Sequence, residues 1–197
     1  LSNFLEENAR RDKKVVGITA ATPSFMGLNS LRTPEFKDQY IDVGIAEEHG
    51  MTLAAGMAVE GLKPFFALYS TFLQRSYDQV IHDVCIQNLP VKICVDRAGI
   101  VGEDGETHQG TLDMAFFRLV PNLTIMAPKD FKELEDMLEF AVKLNKPVII
   151  RYPRGGEDSK VKFERHENIE LGKAEVLKKI INEEKSSKTK ILQKIGD

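Results

Sequence analysis

The sequence is short of the features that mark secreted, membrane or nucleic-acid-binding chains. Only two cysteines occur in 197 residues, Cys85 and Cys94, and both sit in apolar periodic segments. Such a pair excludes a disulfide framework and predicts reduced core residues in a cytoplasmic protein. Basic residues are not in excess: 27 Lys and Arg stand against 30 Asp and Glu, a formal charge of -3. That gives no electrostatic case for nucleic acid, which requires a clustered positive surface. Long apolar runs are missing too. The longest uncharged stretch, Val15–Leu31, is broken by Pro23 and Gly27, whereas a membrane span needs about 20 consecutive apolar residues. Leu1–Lys14 is polar and charged and does not read as a secretory signal. The chain opens on Leu1 without an initiator methionine, which is expected of a piece of something longer.

What is present fits a soluble globular protein, with 42% hydrophobic and 29% charged residues. The length allows one α/β domain with a sizeable core and some tail. The end of an amphipathic helix, Leu1–Arg11, precedes a buried strand, Val15–Ala20, and a Pro/Gly/Asn-bearing loop, Thr22–Thr33. Apolar runs at Tyr40–Val43, Pro64–Tyr69, Val91–Asp96, Leu123–Ala127 and Val148–Tyr152 read as further strands. Helical patterns lie between them at Ala46–Glu60, Thr71–Asn88, Leu112–Leu119 and Phe131–Leu144. Thr71 to Gln74 fits a capping box, and Asp130 is a good N-cap for a helix with a core stripe of Phe131, Leu134, Leu138 and Ala141. Strands alternating with helices predict a mostly parallel sheet with helices on both faces. Beyond Gly156 the composition turns to Lys, Glu and Ser, so residues 1–156 form the domain and 157–197 a linker or extension.

Ligands in such folds gather at the carboxyl ends of the strands, which here carry Asp42, Tyr69, Arg97 and Arg154. Glu47, Glu48 and His49 open a helix in which only Thr52 is polar between Gly50 and Val59. A helix without a polar face is expected to be buried, which takes Glu47 into the interior. There it either complements the helix dipole or does acid–base work. Phe72 lies roughly 120° from the stripe Leu73, Tyr77, Val80, Ile81 and Val84. It either packs under a loop or offers its ring to a ligand. The loop Arg97–Gly110 holds acids and His108 at spacings that match no EF-hand or zinc pattern, and its glycines allow close backbone approach to a ligand. Glu103 and Glu106 read as solvated loop charges. Arg154, between Pro153 and Gly155, is either a surface residue or a bidentate anion ligand.

Five strings in register carry a resemblance: Asp42-Val43-Gly44-Ile45-Ala46-Glu47-Glu48-His49, Tyr69-Ser70-Thr71-Phe72-Leu73-Gln74-Arg75, Asp96-Arg97-Ala98-Gly99-Ile100-Val101-Gly102, Thr107-His108-Gln109-Gly110 and Arg151-Tyr152-Pro153-Arg154-Gly155. Over about Asp12 to Gly156 the chain resembles the pyrimidine-binding domain of the transketolase family, with Glu48 a departure where Gln is common. The strings narrow the resemblance to members that join pyruvate to glyceraldehyde 3-phosphate with loss of carbon dioxide, yielding a precursor of isoprenoids and thiamine. The resemblance implies a thiamine diphosphate cofactor. Glu47 would donate a hydrogen bond to the aminopyrimidine ring nitrogen and favour the imino tautomer that generates the carbanion. Phe72 would stack on the pyrimidine and Ile45 would line the pocket. Tyr69, Arg75, Arg97, Asp104, His108 and Arg154 would receive the acceptor. The arginines suit its phosphate, Asp104 its hydroxyl, and His108 proton transfer.

The family holds the diphosphate and Mg2+ on a Gly-Asp-Gly…Asn segment. Glu103-Asp104-Gly105 does not qualify, because no strand directly precedes it and no Asn follows at the required distance. Those ligands are therefore expected in another domain of the same enzyme, with no metal site here. The chain alone is expected to be inert, and a homodimer is expected. Two alternatives are a pyrimidine-binding subunit of a 2-oxoacid dehydrogenase or split transketolase, and a non-catalytic α/β partner subunit.

Overall fold

Short apolar strands, buried on both faces, organise the molecule. The computed structural model describes residues 1–156 and 169–176, plus the backbone of two short strands farther on. Strands β1 (Val15–Thr19), β2 (Tyr40–Asp42), β3 (Lys63–Tyr69), β4 (Lys92–Asp96), β5 (Thr124–Met126) and β6 (Val148–Arg151) form one sheet. Its order is β2-β1-β3-β4-β6-β5, and every pairing is parallel. The expected parallel α/β architecture is thus present, with strand ends within about one residue of those read from sequence.

Successive side chains on a strand point to opposite faces, so two cores result. On one face Val16, Ile18, Phe66, Leu68, Ile93, Val95 and Ile149 pack beneath helix α2 (Glu47–Val59) and the helical run 70–85. On the other, Val15, Phe65, Ala67, Cys94, Val148 and Ile150 meet helix α1 (Ser2–Arg11) and the loop that follows β1. Neighbours Phe65 and Phe66 are both fully buried, one in each core, and each contributes about 1.5–3 kcal/mol by leaving water. Gly50 lets α2 approach closely, since a Cβ there would lie 2.6 Å from the Phe66 ring.

Four expectations are corrected. Helix α2 is not buried all round: Met51, Ala54, Ala55 and Ala58 face the core, while Thr52, Gly56 and Val59 are exposed. Its apolar composition exceeds what this chain covers. The run after β3 is not one regular helix. It passes from α3 (Ser70–Leu73) through a 3-10 turn (Gln74–Ser76) and α4 (Tyr77–Gln79) to a π-helix (Val80–Cys85). The capping box does not form, because the helix starts one residue earlier and the Thr71 hydroxyl donates to the Thr107 carbonyl instead. Phe131 is 57% exposed and does not join the core stripe of α6 (Phe131–Lys143), although Asp130 caps that helix as expected by accepting from Glu133 N at 2.7 Å.

Cys85 and Cys94 are buried free thiols, and burial pushes both up to about 12. The expected extension 157–197 lies largely outside the described residues. Within it, β7 (Lys179–Ile180) and β8 (Lys190–Ile191) pair antiparallel.

Candidate active site

Two crevices arise where the chain reverses its direction of travel across the sheet, one between β1 and β3 and one between β4 and β6. Ligands settle at such points beyond the strand carboxyl ends. Tyr69 ends β3, Arg97 follows β4, and Arg154 lies three residues past β6.

Glu47 enters from the neighbouring edge. Asp42 Oδ1 accepts from Ala21 N at 2.9 Å and Gly44 N at 3.0 Å, which ties the turn after β2 to the end of β1. Gly44 takes a positive φ of 70° in that turn, and α2 then begins at Glu47. The helix dipole favours a carboxylate there. Glu47 is 1% exposed. Its Oε1 accepts from Arg75 Nη1 at 2.7 Å, while Oε2 is buried with no hydrogen-bond partner. An enclosed carboxyl oxygen without a partner is costly and invites a ligand that supplies one.

Arg75 extends the site to the aromatic residues. Its guanidinium carbon lies 5.3 Å from the Phe72 ring centroid. Phe72 stacks on Tyr69 at 5.1 Å with 10° between planes, and His108 meets it edge-on at 5.4 Å. Tyr69 is buried, and that burial pushes its phenol up, opposed by the nearby Arg97 charge. The Arg97 guanidinium lies over the Tyr69 ring, 3.9 Å from its centroid, a strong cation–π geometry.

Charged residues surround the two crevice arginines. Arg97 has φ of 59°, and its backbone N donates to Asp96 Oδ1 at 2.6 Å. Its Nη1 donates to Asp96 Oδ2 at 2.8 Å and its Nε to Asp104 Oδ2 at 2.7 Å. Burial raises the Asp96 carboxyl, against the lowering effect of Arg97. Arg154 is more open, with its side chain 38% exposed, and Nη1 lies 3.1 Å from Glu103 and 3.3 Å from Asp104. Glu103, expected to be a solvated charge, is 86% exposed but paired. The loop itself is pinned by the Gly99–Gly110 bridge and by Gln109, whose side chain receives Val101 N and donates to Gly105 O. At Gly110 a Cβ would run into the Arg97 carbonyl, so glycine is required.

Glu47, Tyr69, Phe72, Arg75, Arg97, Asp104, His108 and Arg154 therefore form one continuous set of contacts. Ile45 stands apart, 78% exposed in the turn before α2. Sequence reasoning missed Asp96, the carboxylate that clamps Arg97; its adjacency to an arginine at a strand end was the available signal. It also missed the buried Asp113–Arg151 pair beside the site. Among the described residues no group of three His, Cys, Asp or Glu is arranged to hold a metal ion.

Residues 1–156 match the family described as transketolase, pyrimidine binding domain. A 1-deoxy-D-xylulose-5-phosphate synthase of Clostridium perfringens (strain SM101 / Type A) is 60% identical over 177 residues, 88% of this chain and 28% of that protein. Another, from Caldanaerobacter subterraneus subsp. tengcongensis, is 57% identical over 173 residues, again 88% and 28%. The chain thus spans little more than a quarter of the length of these curated relatives. Among solved structures, a split gene transketolase described as an inactive beta4 tetramer matches with TM-score 0.67 and 27% identity, over 83% of this chain and 54% of that one. A transketolase mutant from Pichia stipitis shares the fold, with TM-score 0.70 at 20% identity, over 78% and 25%. Sheet order, site layout and a match that runs through residue 156 lead to one conclusion: the chain belongs to the transketolase pyrimidine-binding domain family.

Proposed function

We propose that this chain is the pyrimidine-binding part of a 1-deoxy-D-xylulose-5-phosphate synthase, which condenses pyruvate with glyceraldehyde 3-phosphate and releases carbon dioxide. The observation that carries the reading is Glu47, a carboxylate buried at a helix N-terminus with one oxygen unsatisfied and Arg75 linking it to Phe72. These residues fit thiamine diphosphate. Phe72 offers an aromatic surface, and Glu47 Oε2, buried without a partner, is the atom left to donate, as a protonated carboxyl, to the pyrimidine ring nitrogen. Held by Glu47 and Phe72 through its pyrimidine, thiamine diphosphate would supply carbanion chemistry for decarboxylation of pyruvate and two-carbon transfer.

The chain's own residues bind, orient and move protons around that chemistry. Glu47 holds the hydrogen bond at the aminopyrimidine ring nitrogen. Phe72 fixes the ring plane by stacking. His108, half-buried with Nδ1 2.9 Å from the Thr107 hydroxyl, moves a proton near the reacting carbon. Arg154 and Arg97 take the acceptor phosphate, with Asp104 and Glu103 giving up Arg154 to it, and Asp104 takes the acceptor's hydroxyl. Tyr69 backs Phe72 and carries Arg97 on its face. Mg2+ and the diphosphate fall to another domain of the same enzyme.

We further infer a homodimer, since Val59 is 61% exposed at one end of α2 and Ile45 stands 78% exposed just before the other. A cytoplasmic setting fits the two free thiols, and among the described residues no helix is long and apolar enough to cross a membrane. The split-transketolase and partner-subunit alternatives are not favoured. Identity is 60% to the synthases against 27% to the split transketolase.

The test is carbon dioxide release from pyruvate by the complete enzyme with thiamine diphosphate and Mg2+. Release that requires glyceraldehyde 3-phosphate is expected. Release indifferent to any aldehyde phosphate, with transfer from a ketose phosphate instead, contradicts the reading.

A further inference from the structure

A ligand that is to touch Glu47 meets an obstacle. The Glu47 side chain is only 2% exposed, and Oε2 is enclosed. No planar ring reaches either oxygen until what covers the carboxylate moves. The charged group against it is the Arg75 guanidinium, 2.7 Å from Oε1 and 5.3 Å from the centroid of Phe72. Those are the two contacts assigned above to the aminopyrimidine: a hydrogen bond to Glu47 and packing on Phe72. The guanidinium donates to the carboxylate, whereas the pyrimidine ring nitrogen accepts, so the ring takes its place when the carboxyl, protonated, donates to it.

We propose that Arg75 is a positioning residue that occupies the pyrimidine site of the unliganded protein as counter-ion to Glu47, and that the entering aminopyrimidine displaces it. The inference rests on the reading of Glu47 and Phe72 given above. It departs from the expectation that Arg75 simply receives the acceptor. Arg75 is able to move: its side chain is 49% exposed against 2% for Glu47. It springs from the 3-10 turn Gln74–Ser76, which is anchored by buried Leu73 on one side and buried Ser76 on the other. The backbone therefore stays fixed while the long side chain changes rotamer.

The exchange also explains how a carboxylate is kept in the interior. A buried charge stripped of its partner is strongly destabilising, so the guanidinium leaves only as the carboxylate takes up a proton and donates it to the entering ring nitrogen. Ligands without an acceptor at that position cannot complete the exchange, which makes Arg75 a determinant of selectivity as well as of access.

The test is calorimetric titration of the complete enzyme with thiamine diphosphate and Mg2+, together with melting temperatures in the free and loaded states. Arg75→Ala is expected to tighten cofactor binding by about tenfold or more, because the ring no longer competes with a charge-assisted hydrogen bond. It is also expected to lower the melting temperature of the free protein but not of the loaded one. Arg75→Lys keeps the charge beside Glu47 and should give an intermediate gain; it serves if the alanine variant does not fold. In a Glu47→Gln background the gain from Arg75→Ala should vanish. Weaker binding in either Arg75 variant, or equal melting losses in both states, overturns the proposal and leaves Arg75 a structural or direct ligand contact. Phe72→Ala is the separate control: unchanged cofactor affinity in that variant removes the pyrimidine-site reading itself.

Discussion

Asp113 and Arg151 offer a quantitative check on how the site is held. Asp113 opens helix α5 (Asp113–Phe117) at 4% exposure, and Arg151 ends β6 at 8%. Arg151 Nε and Nη2 donate to the two carboxylate oxygens at 2.9 and 3.2 Å, and Asp113 Oδ1 also accepts from Met114 N at 2.7 Å. The gap lined by Phe117, Ile125, Ile149 and this pair has no room for a water molecule. With both side chains under a tenth exposed, solvent replaces a lost partner poorly. Removing one member of a buried pair costs about 3–5 kcal/mol, whereas exchanging both for apolar groups of similar size is often neutral or better. Asp113→Ala and Arg151→Met are each expected to cost that much, and Asp113→Leu combined with Arg151→Met to cost less than about 2 kcal/mol. The sequence contains no tryptophan, so urea unfolding is best followed by far-UV circular dichroism. A loss under about 1 kcal/mol for the single changes, or a double variant as unstable as the singles summed, refutes the reasoning.

Arg154→Ala in the complete enzyme should raise the KM for glyceraldehyde 3-phosphate far more than that for an unphosphorylated aldehyde. Arg97→Ala should do the same while also lowering stability, because Asp96 loses its partner; equal losses on both aldehydes would make the arginines structural. Lys92, 1% exposed with Nζ donating to Pro90 O at 2.7 Å, is pulled by burial from 10.5 to about 8. Between those values the unfolded chain holds a proton that the folded chain has released, so Lys92 makes stability rise as pH climbs from about 8 towards 10.5. Below that window its burial cost is present in full. Urea midpoints across the range should show Lys92→Met flattening this rise, and an unchanged slope would contradict it.

Much of this was legible because local pattern and fold agree. Alternating strands and helices predicted the parallel sheet, and Asp130 announced the start of α6. The apolar run from Gly50 to Val59 drew attention to Glu47. What stayed hidden was tertiary. The Glu47–Arg75 bond joins residues 28 apart, and Asp113–Arg151 spans 38; neither pairing has a local signature. The Thr71 hydroxyl was taken from its capping role by a carbonyl 36 residues away. Helix α2 misled for a different reason. Apolar composition shows what a helix is able to bury, not what one chain supplies to cover it, and Val59 stays 61% exposed.

The central claim, that Glu47 activates the cofactor, is tested most directly by turnover of Glu47→Gln in the complete enzyme, measured as carbon dioxide released from pyruvate with saturating glyceraldehyde 3-phosphate. Gln keeps the size of the side chain but cannot hold and pass a proton as a carboxyl does. A folded variant slowed by about two orders of magnitude or more is predicted. Near-normal turnover would contradict the account and return Glu47 to a helix-capping charge paired with Arg75.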